Sequence, residues 1–402
     1  MKLLIILQHI KYIIVKKIAK HLSREKNRGT MRAPILRTVP ILPGPMPTPD
    51  PFLFCVYHKD EYPEGPIHKT MEAPYPGNGH DFDPNAPYRM YHGTKIPGFP
   101  KHPHRGFETI TATIKGIVDH ADSLGNAGRY GEGDVQWMTA GKGVVHGEMF
   151  PLVNIDEPNH TEFFQIWLNL PKKDKMVDPS FAMFWANDVP KYVSPDGKAH
   201  VTSWFGDYFV NDDNAGNETA ARNSPPPDSW ASDPRNDVAV LHLIIQPGGS
   251  LMLPPSKTKN VNRSLYLVKG FEQGVKIGDK LMHEKVILEM DASEEVVISV
   301  SDSATGGVGA VEFLMLQGKP IGEPVVQHGP FVMNTRAEIS QTFDDYSKTG
   351  FGGWPWPESE MVFPQDKGRF SLLDGVETFP TGEGKEDDEA ETCESDSVNE
   401  KQ

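Results

Sequence analysis

Two short histidine-containing segments have the residue types and spacing that suit metal chemistry. His102 and His104 flank a single proline, and His146 and Glu148 flank a single glycine further along the chain. Successive side chains of a β-strand point to opposite faces, so residues two positions apart share a face. If the segments lie on neighbouring strands, three imidazoles and one carboxylate converge on one point. We therefore predict a metal site formed by these four side chains.

Both segments are set among residues that favour strands over helices. The first is followed by 105–116, a run rich in Thr and Ile that ends at a turn glycine. The second is preceded by 131–145, in which two glycine-containing turns surround a short apolar run. We therefore expect both ligand pairs to lie on strands.

This ligand set favours a borderline divalent ion. Neutral imidazoles and a carboxylate suit iron, copper, zinc, nickel and manganese, and the set alone does not choose among them. Because three histidines and one glutamate leave open positions on the ion, dioxygen and a chelating substrate can bind there. For an Fe(II)-type ion, these open positions make dioxygenation the reaction class that we favour. Glu148 is also the expected catalytic base, because a carboxylate beside a substrate hydroxyl can accept its proton.

Glu108 is the competing carboxylate for the fourth ligand. It has the strand parity of the first histidine pair, but four residues of regular strand place it about 13 Å from His104. A bend at Gly106 would shorten that distance. We rank Glu148 first because it belongs to the second pair.

Three motifs together resemble the pirin family, whose members are two-domain cupins that carry one metal ion. They are HPHRGFET at 102–109, GDVQWMTAGKGVVHGEM at 133–149 and EPVVQHGPFVMNT at 323–335. The likeness runs from about residue 51 to residue 351. Compared with the general cupin pattern, Thr139 replaces a usual proline and Glu148 stands as the fourth ligand, which is the form that pirins have.

The resemblance implies two different functions. Some pirins have quercetinase-like activity, which implies an aromatic small-molecule substrate such as a flavonol or a related polyphenol. Pirins of animals resemble nuclear coregulators, which implies instead a non-catalytic, iron-binding redox sensor that contacts a protein partner such as a transcription factor. A third interpretation is an ion that only stabilises the barrel, for which a closed four-coordinate site would be typical.

The composition favours an all-β chain with two domains. The 402 residues exceed one ordinary domain, and the 37 glycines, 36 prolines and many short Val/Ile/Thr runs indicate numerous turns and strands. The two cysteines, Cys55 and Cys393, argue against a disulfide scaffold and fit a reducing compartment. The net charge of −15 argues against nucleic-acid binding through a broad basic surface.

We expect two cupin-type antiparallel β-barrels, a bicupin, with a short C-terminal helix. The predicted segments are an extension and Pro-rich linker at 1–50, a metal-binding barrel at 51–205, an inserted loop at 206–236, a second barrel with a docking helix at 237–352, and an extension with an acidic tail at 353–402. The second barrel has PPSKTKN at 254–260 where a metal-binding cupin would have His-x-His. Only the first barrel should therefore bind metal.

The segment after the second barrel should dock against the first. We expect 323–335 to make that contact and 337–346 to form a helix capped by Asn334 or Thr335. One or two of five large side chains should touch substrate: Phe107, Trp137, Met138, Phe164 and Trp167. We expect His92, His120 and His160 to be surface or loop residues.

Both ends of the chain look like additions. Residues 1–32 are basic and amphipathic, but lysines at 11, 16 and 17 interrupt the apolar stretch before the roughly 20 residues that span a bilayer, so we expect no stable membrane span. A mitochondrial leader within 1–30 and a start at Met31 both stay open, beside a cytoplasmic or nuclear location. The acidic tail at 383–402 should be disordered.

Overall fold

The computed structural model describes residues 34–68, 70–208, 223–302 and 309–380. The leader predicted within 1–30 and the acidic tail predicted at 383–402 lie outside these ranges. None of the helices inside them has both the length and the apolar character needed to cross a bilayer.

Antiparallel strands make up most of the described chain, as its Val/Ile/Thr runs predict. In order they are β1 (Ile35–Pro40), β2 (Met46–Pro47), β3 (Phe52–Tyr62), β4 (Gly98–His104), β5 (Phe107–Lys115), β6 (Ile117–Asp122), β7 (Ala127–Gly131), β8 (Val135–Thr139), β9 (Val144–Met149), β10 (Asn159–Asn169), β11 (Ser180–Phe184), β12 (Lys191–Val193) and β13 (Ala199–Phe205). They continue with β14 (Ala239–Ile245), β15 (Ser250–Leu253), β16 (Asn262–Lys269), β17 (Val275–Ile277), β18 (Lys280–Met282), β19 (Val286–Asp291), β20 (Val296–Val300), β21 (Val311–Gly318), β22 (Val326–His328), β23 (Phe331–Met333), β24 (Phe370–Leu373) and β25 (Val376–Thr378).

Helical structure in the described ranges is short. The α-helix is α1 (Arg336–Thr349), and 3₁₀ turns occur at Lys172–Asp174, Trp230–Ser232, Pro234–Asn236, Phe271–Gln273 and Gly350–Gly352. The side chain of Thr335 accepts a hydrogen bond from the Glu338 amide at the start of α1, so one of the two predicted caps is used.

The strands form two barrels, each made of two facing sheets. In the first barrel the sheets have the orders β11-β8-β5-β10-β3-β2 and β25-β24-β7-β6-β9-β4. In the second they have the orders β1-β19-β16-β21-β14-β13-β12 and β15-β20-β17-β18. The predicted fold class, two antiparallel β-barrels with a short C-terminal helix, is therefore confirmed.

The barrels exchange terminal strands, so sheet membership does not follow the predicted segment boundaries. β1, from the predicted N-terminal extension, pairs with β19 of the second barrel. β24, from the predicted C-terminal extension, pairs with β7 of the first barrel. β12 and β13, placed by sequence in the first barrel, join β14 in the second. Amino-acid composition indicates where loops lie, but it does not predict which distant strands pair with each other.

A buried ion pair fixes the returning C-terminal segment to the first barrel. Arg129 on β7 donates from Nε and Nη2 to the two carboxylate oxygens of Asp119 on β6, each at 2.7 Å. The same guanidinium donates to the carbonyls of Phe363 and Pro364, and Asp119 accepts from the Phe363 amide. Because both charges are paired and also bound to backbone groups, the pair can be buried without unsatisfied polar atoms.

The two faces of the strand β5 differ: polar side chains point into the first barrel, and apolar side chains point outward. Thr111 points inward, while Ile110 and Ala112 point outward into a core that also holds Tyr266 and Leu314 of the second barrel. This core joins the large sheets of the two barrels. The second barrel thus supports the strand that carries part of the first barrel's interior.

Glu108 lies on the outer face of β5, inside the junction between the barrels. It is fully buried and accepts hydrogen bonds from the hydroxyls of Thr139 at 2.7 Å and Ser229 at 2.6 Å. Burial raises the pKa of this carboxyl from 4.5 to about 7. The carboxylate therefore faces away from the predicted ligands. Gly106, at φ 86°, turns the chain between β4 and β5, so the strand parity of His104 is not carried forward to Glu108.

Replacing Glu108 with glutamine should alter how stability depends on pH. Because the folded-state pKa is raised, the contribution of Glu108 is fully present below about pH 4.5 and is lost as pH rises through about 7. Chemical denaturation should show the wild type losing about 3 kcal/mol more than Glu108→Gln over that interval. Parallel pH profiles for the two proteins would contradict this assignment.

Candidate metal centre

The register of three neighbouring strands brings the three predicted histidine ligands together and places Glu148 beside them, outside the close group. In the pairing of β4 with β9, His102 lies opposite His146, and an irregularity follows Phe99, which lies opposite Glu148. On its other edge β9 pairs with β6, where His120 lies opposite Glu148. Side chains with matching parity on these strands face the barrel interior, as the two-residue spacing predicts.

Three imidazoles form a compact group in this wall. The ligand nitrogens of His102, His104 and His146 all lie within 4.8 Å of one another. Nε2 of His102 and Nε2 of His104 are 3.1 Å apart. Two nitrogens bound at about 2.1 Å and at right angles around one ion would lie about 3.0 Å apart. The histidine triad can therefore hold a metal ion.

Backbone carbonyls fix the protonation of two of these rings. Nδ1 of His102 lies 2.9 Å from the Pro100 carbonyl, and Nδ1 of His104 lies 3.3 Å from the Pro330 carbonyl. A carbonyl only accepts, so each Nδ1 carries the hydrogen and each Nε2 is left with a bare lone pair. Two lone pairs facing each other repel unless a cation lies between them.

His146 gives a second sign that the donor set fits a metal ion. Both of its ring nitrogens are buried, and neither has a hydrogen-bond partner among the described residues. Burying an imidazole whose nitrogens have no partner costs free energy. Metal coordination would satisfy one of the two nitrogens.

Burial keeps the three rings in the form that binds metals. Burial is the main cause that lowers the pKa of His102 from 6.5 to about 4. Burial also lowers the pKa values of His104 and His146 well below the ordinary range, and neighbouring imidazoles add to the effect. Neutral imidazole is the ligand form of histidine, so these rings need no deprotonation at neutral pH.

Glu148 lies at the edge of the histidine group. One of its oxygens, Oε2, is 3.9 Å from Nε2 of His146 and accepts a hydrogen bond from Nε2 of Gln165 at 2.7 Å. The other accepts from the Thr111 hydroxyl at 3.0 Å. Burial raises the pKa of Glu148, and its hydrogen bonds oppose that rise. Thr111 and Gln165 are cross-strand partners, so β5 and β10 orient this carboxylate.

His120 is a buried neighbour of the site, and the prediction that it is a surface residue is wrong. Its side chain is fully buried, and its ring centroid lies 5.4 Å from that of His146. His92 and His160 are exposed, as predicted. The position of His120 depends on the register that places it opposite Glu148 in the pairing of β6 with β9, which the sequence pattern alone does not give. Nothing local in the sequence indicated the supporting roles of Thr111 and Gln165.

A cavity of about 720 Å³ leads to His102, His104 and Glu148. Of the five side chains predicted to reach substrate, Trp167 lines this cavity. Phe107 stacks on Trp167, with the two ring centroids 3.9 Å apart. The other three lie in apolar cores: Trp137 and Phe164 between the barrels, and Met138 beside Val144.

The segment 323–335 contacts the first barrel, as predicted. Its β22–β23 hairpin places Pro330 against His104 and at the cavity wall, and the Val332 amide donates to the Arg105 carbonyl. The helix α1 that follows is tied down by Arg105, whose Nη1 lies 2.7 Å from the Asp345 carboxylate. This segment therefore closes one side of the histidine group.

The second barrel has no comparable cluster within the described ranges. His242 is paired with Glu312 at 3.1 Å and stacks on Trp204, and His283 is exposed. The cluster found among the described residues lies in the first barrel.

Comparisons with known proteins agree with this architecture. The pirin family profile matches residues 77–168, and the profile of the pirin C-terminal cupin domain matches residues 240–352. A pirin-like protein of Solanum lycopersicum is 35% identical over 256 residues, which cover 63% of this chain and 77% of that protein. A Pseudomonas aeruginosa protein provisionally named a quercetin 2,3-dioxygenase is 31% identical over 254 residues, covering 63% of this chain and 79% of that protein.

A solved structure supports the same assignment. The crystal structure of quercetin 2,3-dioxygenase from Acinetobacter baumannii matches with a TM-score of 0.56 and 26% identity, covering 75% of this chain and 86% of that one. The chain has two paired barrels and a histidine cluster in the first, and it matches both family profiles in the expected order. The chain belongs to the pirin family of bicupin proteins.

Proposed function

We propose that this protein is a metal-dependent dioxygenase of quercetin-type flavonols or related polyphenols, with Fe(II) held by His102, His104, His146 and Glu148. The observation that carries the proposal is the position of the triad. Two of its members, His102 and His104, line an open cavity, and His146 lies in the same cluster. A purely structural ion would need no such access. The similarity to proteins named quercetin 2,3-dioxygenases supports the substrate class.

The ion, when bound, would supply open coordination positions for dioxygen and for a chelating oxygen of the substrate. The protein supplies binding and orientation. Phe54 and Trp167 form one aromatic wall, with ring centroids 4.2 Å apart, and Phe99 lines the cavity as well. Flat aromatic surfaces of this kind suit a planar polyphenol.

Glu148 acts as the general base in this proposal. It reaches the cavity, and Thr111 and Gln165 hold both of its oxygens in place. A carboxylate held in place beside a bound substrate hydroxyl can accept its proton. A substrate hydroxyl bound beside it would lose its proton to Glu148, and the resulting anion is more easily oxidised than the neutral phenol.

Removing one histidine should abolish metal binding and oxygen consumption together. We expect His104→Ala to lower the metal content of the purified protein at least about tenfold, because the two imidazoles and one carboxylate that remain bind an ion more weakly than the full set. Elemental analysis should be paired with oxygen-electrode measurements on a panel of flavonols and catechols. His283→Ala, a change at an exposed histidine of the second barrel, is the control and should match the wild type.

The same measurements separate the enzyme from the redox sensor. Iron-loaded wild type that consumes no oxygen with any member of the panel would contradict the dioxygenase proposal. Redox-dependent binding of a protein partner without turnover would favour the sensor instead. Retention of metal by His104→Ala would contradict the ligand assignment.

Replacing Glu148 with glutamine should separate its role as base from its role as ligand. Glutamine keeps an oxygen that can face the ion but cannot accept a proton at neutral pH. We expect kcat to fall about a hundredfold or more, while the metal content measured by elemental analysis stays within a few-fold of wild type. Unchanged kcat would exclude Glu148 as the base.

A further inference from the structure

A second polar group reaches the cavity from the strand β3. Phe54, Val56 and His58 alternate along this strand and all line the cavity. His58 is 4% exposed and is stacked on Phe163, with ring centroids 4.5 Å apart and planes inclined by 20°. The imidazole is therefore held rigidly at the wall.

A hydrogen-bonded chain fixes His58 from behind. Arg89 donates from Nε and Nη2 to the two carboxylate oxygens of Asp60, at 2.9 and 2.8 Å. The Tyr91 hydroxyl donates to Oδ2 of Asp60 at 2.7 Å. The Tyr91 oxygen in turn lies 2.8 Å from Nδ1 of His58. Asp60 and Tyr91 are buried, at 3% and 1% exposed, so water does not compete for these bonds.

This chain determines which nitrogen of His58 carries the proton. Asp60, paired through two bonds with a guanidinium, is a carboxylate and can only accept. Tyr91 has one hydroxyl hydrogen and gives it to Asp60, so its oxygen can only accept from His58. Nδ1 of His58 must therefore be the N–H donor, and Nε2 is left with a bare lone pair. Among the described residues, the hydrogen bond that the His58 ring makes is the one at Nδ1.

The imidazole is also neutral, which makes it a pure acceptor toward the cavity. Burial, with a smaller effect from Arg89, lowers the pKa of His58 from 6.5 to about 3. Nε2 therefore has no hydrogen to donate at neutral pH. A ligand group that meets this nitrogen must itself supply the hydrogen.

His58 and the metal centre face the same cavity across one aromatic ring. The Phe99 centroid lies 5.9 Å from that of His58 and 6.3 Å from that of His102. A ligand anchored at the histidine triad would therefore extend past Phe99 toward His58. A flavonol, with its chelating oxygens at one end and a pendant hydroxylated ring at the other, has the corresponding shape.

We propose that His58 is a specificity-determining residue that accepts a hydrogen bond at Nε2 from a phenolic hydroxyl on the substrate ring remote from the metal. This inference rests on the proposed function for the identity of the ligand. Tyr91, Asp60 and Arg89 are positioning residues that fix the tautomer of His58. The preferred substrates are polyphenols with a free hydroxyl on the outer ring. Their O-methyl ethers bind poorly because an ether oxygen would face the Nε2 lone pair.

The test is a comparison of equilibrium binding in the absence of oxygen. Quenching of tryptophan fluorescence measures the affinity of the metal-loaded protein for a flavonol with a catechol outer ring and for its mono-O-methyl ethers. Wild type should prefer the free catechol about tenfold or more, the value of one hydrogen bond lost from a buried site. His58→Phe keeps the ring stacking on Phe163 but removes the acceptor, so its affinities for the free catechol and for the ethers should be about equal. His160→Phe, on the exposed face of β10, should keep the wild-type preference.

Tyr91→Phe tests the tautomer and guards against a folding defect in the first variant. It removes the partner of Nδ1 but leaves the imidazole in place, so the preference should fall only partly. Nitrogen NMR of labelled histidine should show His58 as the Nδ1–H tautomer in wild type and as a mixture in Tyr91→Phe. A structural role alone would not change the tautomer.

The outcomes separate this inference from the proposed function. Equal affinity of wild type for the catechol and its ethers, or an undiminished preference in His58→Phe, would overturn the role of His58 and leave the dioxygenase proposal standing. A His58-dependent preference without oxygen uptake in air would support the binding role while contradicting the dioxygenase.

Discussion

Three neutral imidazoles converge on one point in the wall of the first barrel, and this arrangement fits a bound cation. The carbonyls of Pro100 and Pro330 hold two of the rings so that their lone pairs face each other. The pairing of β4 with β9 brings the third ring opposite the first. A bound ion would therefore link the β22–β23 hairpin to β4 and β9, because the hairpin orients His104 and the two strands carry the three histidines.

The two barrels have different roles: the first contains the histidine cluster, and the second supports its strands. The second barrel has an apolar interior and, within the described ranges, no ligand cluster. Its large sheet packs against the outer faces of β5 and β10, whose inner faces carry Thr111 and Gln165. The core between the barrels thus fixes the strands that orient Glu148. Glu108, the other carboxylate of this region, belongs to the junction and not to the site.

The sequence predicted the parts of the site that depend on local geometry. The spacing of His102, His104, His146 and Glu148 required only that strands alternate their faces. It did not locate His120, because β6 meets β9 through a register that pattern alone does not give. Parity also failed for Glu108, because the turn at Gly106 lies between it and the first pair. Segment boundaries were missed for the same reason, since strand exchange between barrels is a long-range pairing.

The exchange of terminal strands has a consequence for biogenesis. The sheet that carries the histidines gains its neighbour β24 from a point beyond the entire second barrel. During synthesis, the ribosome must release almost the whole described chain before that sheet is complete. A fragment that stops after the second barrel would leave β7 as an open edge, which is prone to intermolecular association. The first barrel can therefore complete its fold only after the second barrel has been synthesised.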